Sequence, residues 1–284
     1  MGNEAVKTPI NKLGSDIKTI KKPYGVALNQ AGEIIVTEAN TSVVSIFSPR
    51  GEKLRTLDTR GTDFKEMSPY GVAVDGDDNI LVVDTGNCRL LKFSRGGDLI
   101  AAVGSRVDAG PGQLNFPHGV CVNSVNGKVY VVNSGADCVN IFNSDLTFSS
   151  KFGSEGSANR DLYHPYDVAS DRSGCVYVAE PANARVKVFT PDGVYLRQFG
   201  KEGSGNGELD GPVSICVDSN DLVYVGENGN GRVSVFTCEG VFLKSFGSKG
   251  SGLGQLYGPF GIAVDQCGVV YVCDRDNNRV QIFS

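Results

Sequence analysis

The chain has 284 residues, 40% hydrophobic and 21% charged, a balance that suits a globular protein with a real core and excludes disordered and fibrous classes. Its 27 Lys and Arg against 32 Asp and Glu leave a net charge of −5, so overall charge does not attract phosphate polymers, and only a local basic patch would. Apolar runs stay far below the roughly 18 residues that span a bilayer, and the start Met1-Gly2-Asn3-Glu4-Ala5-Val6-Lys7 lacks both a secretory apolar core and a hydroxyl residue at position 6 for myristoylation; a soluble chain with no membrane partner is expected.

Residues 1–22 precede a repeat that decides the fold. Prolines stand at 23, 69, 117, 165, 212 and 259, spaced by 46, 48, 48, 47 and 47 residues. Each is followed 24 or 25 residues later by a phenylalanine: Phe47, Phe93, Phe142, Phe189, Phe236 and Phe283. One domain over 1–284 with six units, starting near those prolines, is the reading that follows.

Taken in chain order, the opening segment holds two competing strand candidates, Ile10-Asn11-Lys12-Leu13-Gly14 and Ile17-Lys18-Thr19-Ile20. The second unit shows the repeated pattern most plainly. Pro69-Tyr70-Gly71-Val72-Ala73-Val74-Asp75 alternates large and small residues with period 2 and predicts a first strand. The turn Gly76-Asp77-Asp78-Asn79 leads to an all-apolar second strand, Ile80-Leu81-Val82-Val83, which suits burial on both faces. A polar loop precedes a third strand, Leu90-Leu91-Lys92-Phe93. In the fourth unit Pro191-Asp192-Gly193 turns the chain into a fourth strand, Val194 to Phe199. One such antiparallel sheet cannot hide two apolar faces, whereas six arranged radially bury them against one another, so the fold predicted is an all-β, six-bladed propeller. The sixth unit ends at Phe283-Ser284. Its outer strand is expected from the opening segment, where Leu13-Gly14 resembles Phe152-Gly153, Phe199-Gly200 and Phe246-Gly247, and Ile17–Ile20 competes for the same edge.

Cys121 and Cys216 stand where other units have Ala27, Ala73, Ala169 and Ala263. Small buried thiols account for this better than bridges do, and a reduced, cytoplasmic setting is expected despite the sequon Asn40-Thr41-Ser42.

The unit Pro-aromatic-Gly-Val-Ala-Val-Asp, followed by Val270-Tyr271-Val272, by Asp274-Arg275-Asp276-Asn277-Asn278-Arg279-Val280 and by Phe283, resembles the NHL repeat across all six units from about residue 23. WD-repeat propellers fit poorly, since the chain has no Trp. The resemblance extends to the C-terminal NHL domains of tripartite-motif (TRIM-NHL) ubiquitin ligases, where the propeller recognises RNA or protein. It implies a non-enzymatic target-recognition module, with any ligase activity belonging to domains that this sequence does not contain.

In a propeller of this kind the connections between units and the loops between second and third strands share one face, the top. The residues after the repeat prolines ring the mouth of the central channel there: Tyr24, Tyr70, His118, Tyr166, Val213 and Phe260. The five rings among them are candidate ligand-binding residues, as an anchor for a peptide or a stacking surface for bases; the competing reading is that they plug the core. A second ring opens the loops, Glu38, Asp84, Asn133, Glu180, Glu227 and Asp274, and arginines follow four of its five acids at an offset of five: Arg89, Arg185, Arg232 and Arg279. That pairing points to structural salt bridges rather than a calcium site. Two histidines, His118 and His164, fall short of the usual three protein ligands of a catalytic zinc, so no metal and no cofactor are expected. Glycine clusters such as Gly203-Ser204-Gly205-Asn206-Gly207 precede a strand instead of a helix, which favours turns over phosphate cradles. The leading expectation is a protein or peptide partner at the top face. Single-stranded or hairpin RNA is the alternative, using Lys22, Arg60, Lys65, Arg106, Arg160 and Lys249, which are interleaved with Asp63, Glu66, Asp108, Glu155 and Asp161. A metal-dependent lyase or lactonase ranks behind both.

Overall fold

A computed structural model describes residues 16–39, 41–58, 67–106, 110–156 and 158–284. Six antiparallel sheets follow one another along the chain, with strands hydrogen-bonded in sequence order. The first blade is built from Pro23–Leu28, Ile34–Glu38, Val43–Phe47 and Lys53–Asp58. The second strands are uniformly buried, as in Ile80–Asp84 and Val223–Glu227, because each lies between two neighbouring blades. Outer strands such as Tyr195–Phe199 alternate in exposure.

The core is divided among six apolar clusters, one at each seam between blades. Blades 1 and 2 meet through Val44, Leu57, Val72 and Val82, blades 4 and 5 through Tyr177, Val186, Ile215 and Phe236, and blades 6 and 1 through Cys273, Val280, Val36 and Phe47. Each sheet therefore needs the next to cover its face, which is the physical reason the repeat closes into a ring.

The closing seam settles the choice between the two opening candidates. Ile17 exchanges both main-chain hydrogen bonds with Val280, at 3.1 Å each. Val280 is the counterpart of Val139, Val186 and Val233, whose outer-strand partners are Phe152, Phe199 and Phe246. Ile17 thus holds the place those phenylalanines hold. The register that puts Leu13-Gly14 at the Phe-Gly position is corrected by this pairing; Ile10–Gly14 itself lies outside the described residues. Ile20 does not extend a strand but joins Ile17 in the blade 6–1 core, both almost fully buried.

Candidate functional site

At the top of each seam the same polar device recurs. The residue opening each loop accepts the N–H of a residue just before the inner strand of its own blade: Glu38 from Lys21, Asp84 from Ser68, Asn133 from Asn115, Glu180 from Tyr163, Glu227 from Asp210 and Asp274 from Tyr257, at 2.6 to 3.1 Å. Four of these carboxylates also take an arginine Nε five residues on: Arg89 on Asp84 at 2.8 Å, Arg185 on Glu180 at 2.6 Å, Arg232 on Glu227 at 2.7 Å and Arg279 on Asp274 at 2.6 Å. An asparagine amide completes each set, from Asn87, Asn183, Asn230 and Asn277. The offset of five works because one tight turn and one left-handed residue, such as Asn278 at φ 54°, reverse the chain between the two side chains. Glu38, with no arginine at that offset, accepts from Ser45 Oγ at 2.5 Å instead. These acids staple loops, and their oxygens face donors rather than a shared cation position.

The five rings and Val213 converge on the channel mouth. Tyr24 stacks on Tyr70 with centroids 4.0 Å apart and touches Phe260 at 4.9 Å, while His118 stacks on Tyr166 at 4.4 Å and tilts against Tyr70 at 5.3 Å. The hydroxyls of Tyr24 and Tyr166 hydrogen-bond each other across the opening, and the Arg275 guanidinium lies 4.8 Å from the Phe260 ring centre. Burial lowers the His118 pKa to about 4, so its imidazole is neutral at physiological pH, and raises that of Tyr166 to about 12. The geometry is a closed plug in which each ring spends a face on its neighbour.

Beside the plug stand side chains that the sequence pattern did not single out. Phe116 is 62% exposed, Tyr163 40%, Tyr257 48% and Leu253 59%, all on the connections that precede inner strands. Phe116 and His164 occupy the position before the repeat proline at φ 45° and 44°, where two other blades use Gly211 and Gly258 at φ 57° and 78°. Glycine takes that conformation without the Cβ penalty of roughly 1–2 kcal/mol. The signal was present in the sequence as ring-bearing residues in a column where two blades carry glycine. His164 packs against Tyr163, while His118 sits in the plug; among the described residues no cluster of three His, Cys, Asp or Glu side chains is placed to hold a metal ion.

The top-face cations are mostly engaged within the chain. Lys22 pairs with Asp276 at 3.0 Å, Arg160 approaches Asp161 at 3.9 Å, Arg106 Nε donates to the Gly86 carbonyl at 2.5 Å and Lys249 lies over Tyr257. Arg60, Asp63, Lys65, Glu66 and Asp108 fall outside the described residues.

Inside the channel the blades are not equivalent. The second residue after the repeat proline is Gly25, Gly71, Gly119 and Gly261 in four blades, Ser214 in the fifth and Asp167 in the fourth. A Cβ on Gly71 would sit 2.4 Å from the His118 carbonyl oxygen, which shows how closely inner strands approach there.

Four of the six units match the NHL repeat model, over residues 67–93, 114–142, 209–236 and 256–283, and the chain folds as a six-bladed β-propeller carrying these repeats. No curated protein sequence matches it. Among solved structures it is similar to virginiamycin B lyase from Staphylococcus aureus, at 13% identity, TM-score 0.66, covering 96% of this chain and 99% of that one. It is also similar to a gluconolactonase from Xanthomonas campestris, at 17% identity, TM-score 0.70, covering 94% and 87%. A chain of a nidogen/laminin complex aligns at 17% identity, TM-score 0.61, covering 80% of each. At such identities the likeness is one of fold, and it spans both enzymes and a binding protein.

Proposed function

We propose that this propeller is a non-enzymatic binding platform that recognises a protein partner through its top face, as the target-recognition module of a TRIM-NHL-like protein in a reduced, cytoplasmic setting. The observation that carries the reading is the exposed rim of Phe116, Tyr163, Tyr257 and Leu253 around a mouth already closed by its own rings. Apolar side chains gathered on one face, Phe116 on a left-handed position and Tyr163 next to one where glycine would relieve strain, serve an external contact better than the propeller's own core. RNA recognition is supported less, since stacking faces are used within the plug and Lys22 and Arg106 are bonded within the chain. The lyase and lactonase reading rests on fold likeness alone.

The test is a variant carrying Phe116→Gly, His164→Gly and Tyr163→Ser. Its melting temperature is expected to match or exceed the parent's, because two left-handed positions gain glycine, while capture of a protein partner and cross-links from that partner to the top face are lost. Partner capture unchanged in the variant would move the site elsewhere. In a parallel titration with uridine-rich strands and short hairpins at near-physiological salt, weak and salt-sensitive binding is expected. Submicromolar, sequence-selective binding that the variant loses would establish RNA in place of protein.

A further inference from the structure

The axial channel encloses about 210 Å³, and beneath the ring of the mouth its polar side chains come from three adjacent blades. Asp167 enters where four blades have glycine, and Ser170 enters where the others have Leu28, Val74, Val122, Val217 and Val264. On the flanking blades Cys121 and Cys216 replace the alanine of the remaining four. All four residues line the channel. Room for the carboxyl comes from Gly119, whose absent Cβ would lie 2.2 Å from Asp167 Oδ1.

Asp167 Oδ1 accepts the Val168 N–H and Oδ2 the Ile215 N–H, both at 2.9 Å. Two main-chain bonds leave about half of a carboxylate's acceptor sites open. Each of the five acids that open the loops has either a guanidinium or a hydroxyl donor beside it. Among the described residues no Lys or Arg forms an ion pair with Asp167. The other titratable groups around it are Tyr166 on its own strand, His118 and Cys121 on one side and Cys216 on the other, and at neutral pH none of them is a cation. The buried Nδ1 of His118, also in the lining, has no hydrogen-bond partner either. An uncompensated carboxylate enclosed by protein is costly unless a counter-charge joins it.

We propose that the channel binds a small monovalent cation, an alkali ion or a protonated small amine, held by the Asp167 carboxylate with Ser170 Oγ and the neighbouring thiols lining its site. One carboxylate supplies one negative charge and the rest of the wall is neutral, so a divalent ion would keep a buried excess charge that a monovalent one does not. The volume accommodates the ion with some of its water. Burial raises the Asp167 pKa to about 7, so the cation competes with a proton, and apparent affinity rises roughly tenfold between pH 6 and pH 8 as the carboxyl ionises. The site would tie blades 3, 4 and 5 together along the axis, beneath the plug.

The experiment compares melting temperatures in potassium, sodium, ammonium and methylammonium chloride with N-methylglucamine chloride at equal ionic strength. At pH 8 at least one small cation is expected to raise the midpoint by roughly 3 °C near tenfold its dissociation constant, with a smaller rise at pH 6 and none in Asp167→Gly or Asp167→Ser, which restore residues other blades use. Identical midpoints in all salts, or a cation effect kept in both variants, would overturn the proposal. Should the variants not fold, crystals of the parent soaked in thallium or rubidium chloride decide the matter: an anomalous peak beside Asp167 supports the site, and a channel without one refutes it.

Discussion

Asp167 has a consequence for stability whether or not a ligand joins it. Its folded pKa of about 7 lies above the ordinary 3.8 of the side chain, with burial as the largest cause and the Ile215 and Val168 N–H groups opposing it. The folded state therefore holds the proton more tightly than the unfolded chain does. Stability from this group is full below about pH 4, falls as pH rises through 7, and is flat above that, with a total of up to about 4 kcal/mol. In a salt of a large cation, the parent is expected to lose denaturation midpoint between pH 5 and 8 relative to Asp167→Gly, and parallel profiles would show that the carboxyl is not perturbed. The break in the glycine column could be read from the sequence; its meaning could not. Period-2 alternation tells which face a residue takes, but not that neighbouring inner strands come so close that a glycine opposite makes space for a carboxyl. The loop acids were more legible, because a fixed offset of five residues encodes a local reversal, and local geometry follows from local sequence. The mouth rings were legible as a ring with two readings, anchor or plug, and their mutual stacking, which depends on the diameter at which six blades close, was not.

Among the elements, the blades were readable and the closure was harder. Strand order and turns follow from a pattern repeated six times, whereas the closing segment occurs once and lacks the repeat's landmarks. The Leu13-Gly14 pair resembled the Phe-Gly ends of other outer strands, where Gly153, Gly200 and Gly247 at φ 87°, 91° and 88° turn the chain into a long connection. Ile17 needs no such glycine, because its route to the next buried anchor, Ile20, is only three residues, against ten from Phe199 to Leu209. Ile17 and Ile20 complete the blade 6–1 core from a segment far away in sequence from Val280. Replacing either fully buried isoleucine with alanine is expected to cost about 2–5 kcal/mol. Deleting residues 1–20 removes both and leaves the edge at Val280 unpaired, so a large fall in melting temperature or aggregation should follow. An unchanged melting curve for the deletion would mean that the ring closes without this segment.

At the scale of the whole molecule, stability comes from six apolar seams, each shared by two sheets, and no seam depends on a covalent link. None of the eight cysteines is paired. Cys273 is buried and Cys121 and Cys216 are half-buried in the channel wall, and desolvation pushes each thiol well above its usual range, so the nucleophilic thiolate is scarce. Cys138 is buried as well, and Cys267, on the bottom face, is the one exposed cysteine. A chain that relied on disulfides would be expected to join its loops at the periphery, whereas two of these sulfurs face the axis, where they replace alanine at a position facing both the channel and a seam. Thiol titration without reductant should therefore find Cys267 reacting first in the native protein and all eight groups after denaturation. Recovery of four or fewer from the denatured protein would mean that bridges form in the mature molecule, and would count against the reduced, cytoplasmic setting. A full count with a fast single-thiol phase would instead fit a ring held by packing alone, in which the axial thiols stay protonated and free to line the channel beside Asp167.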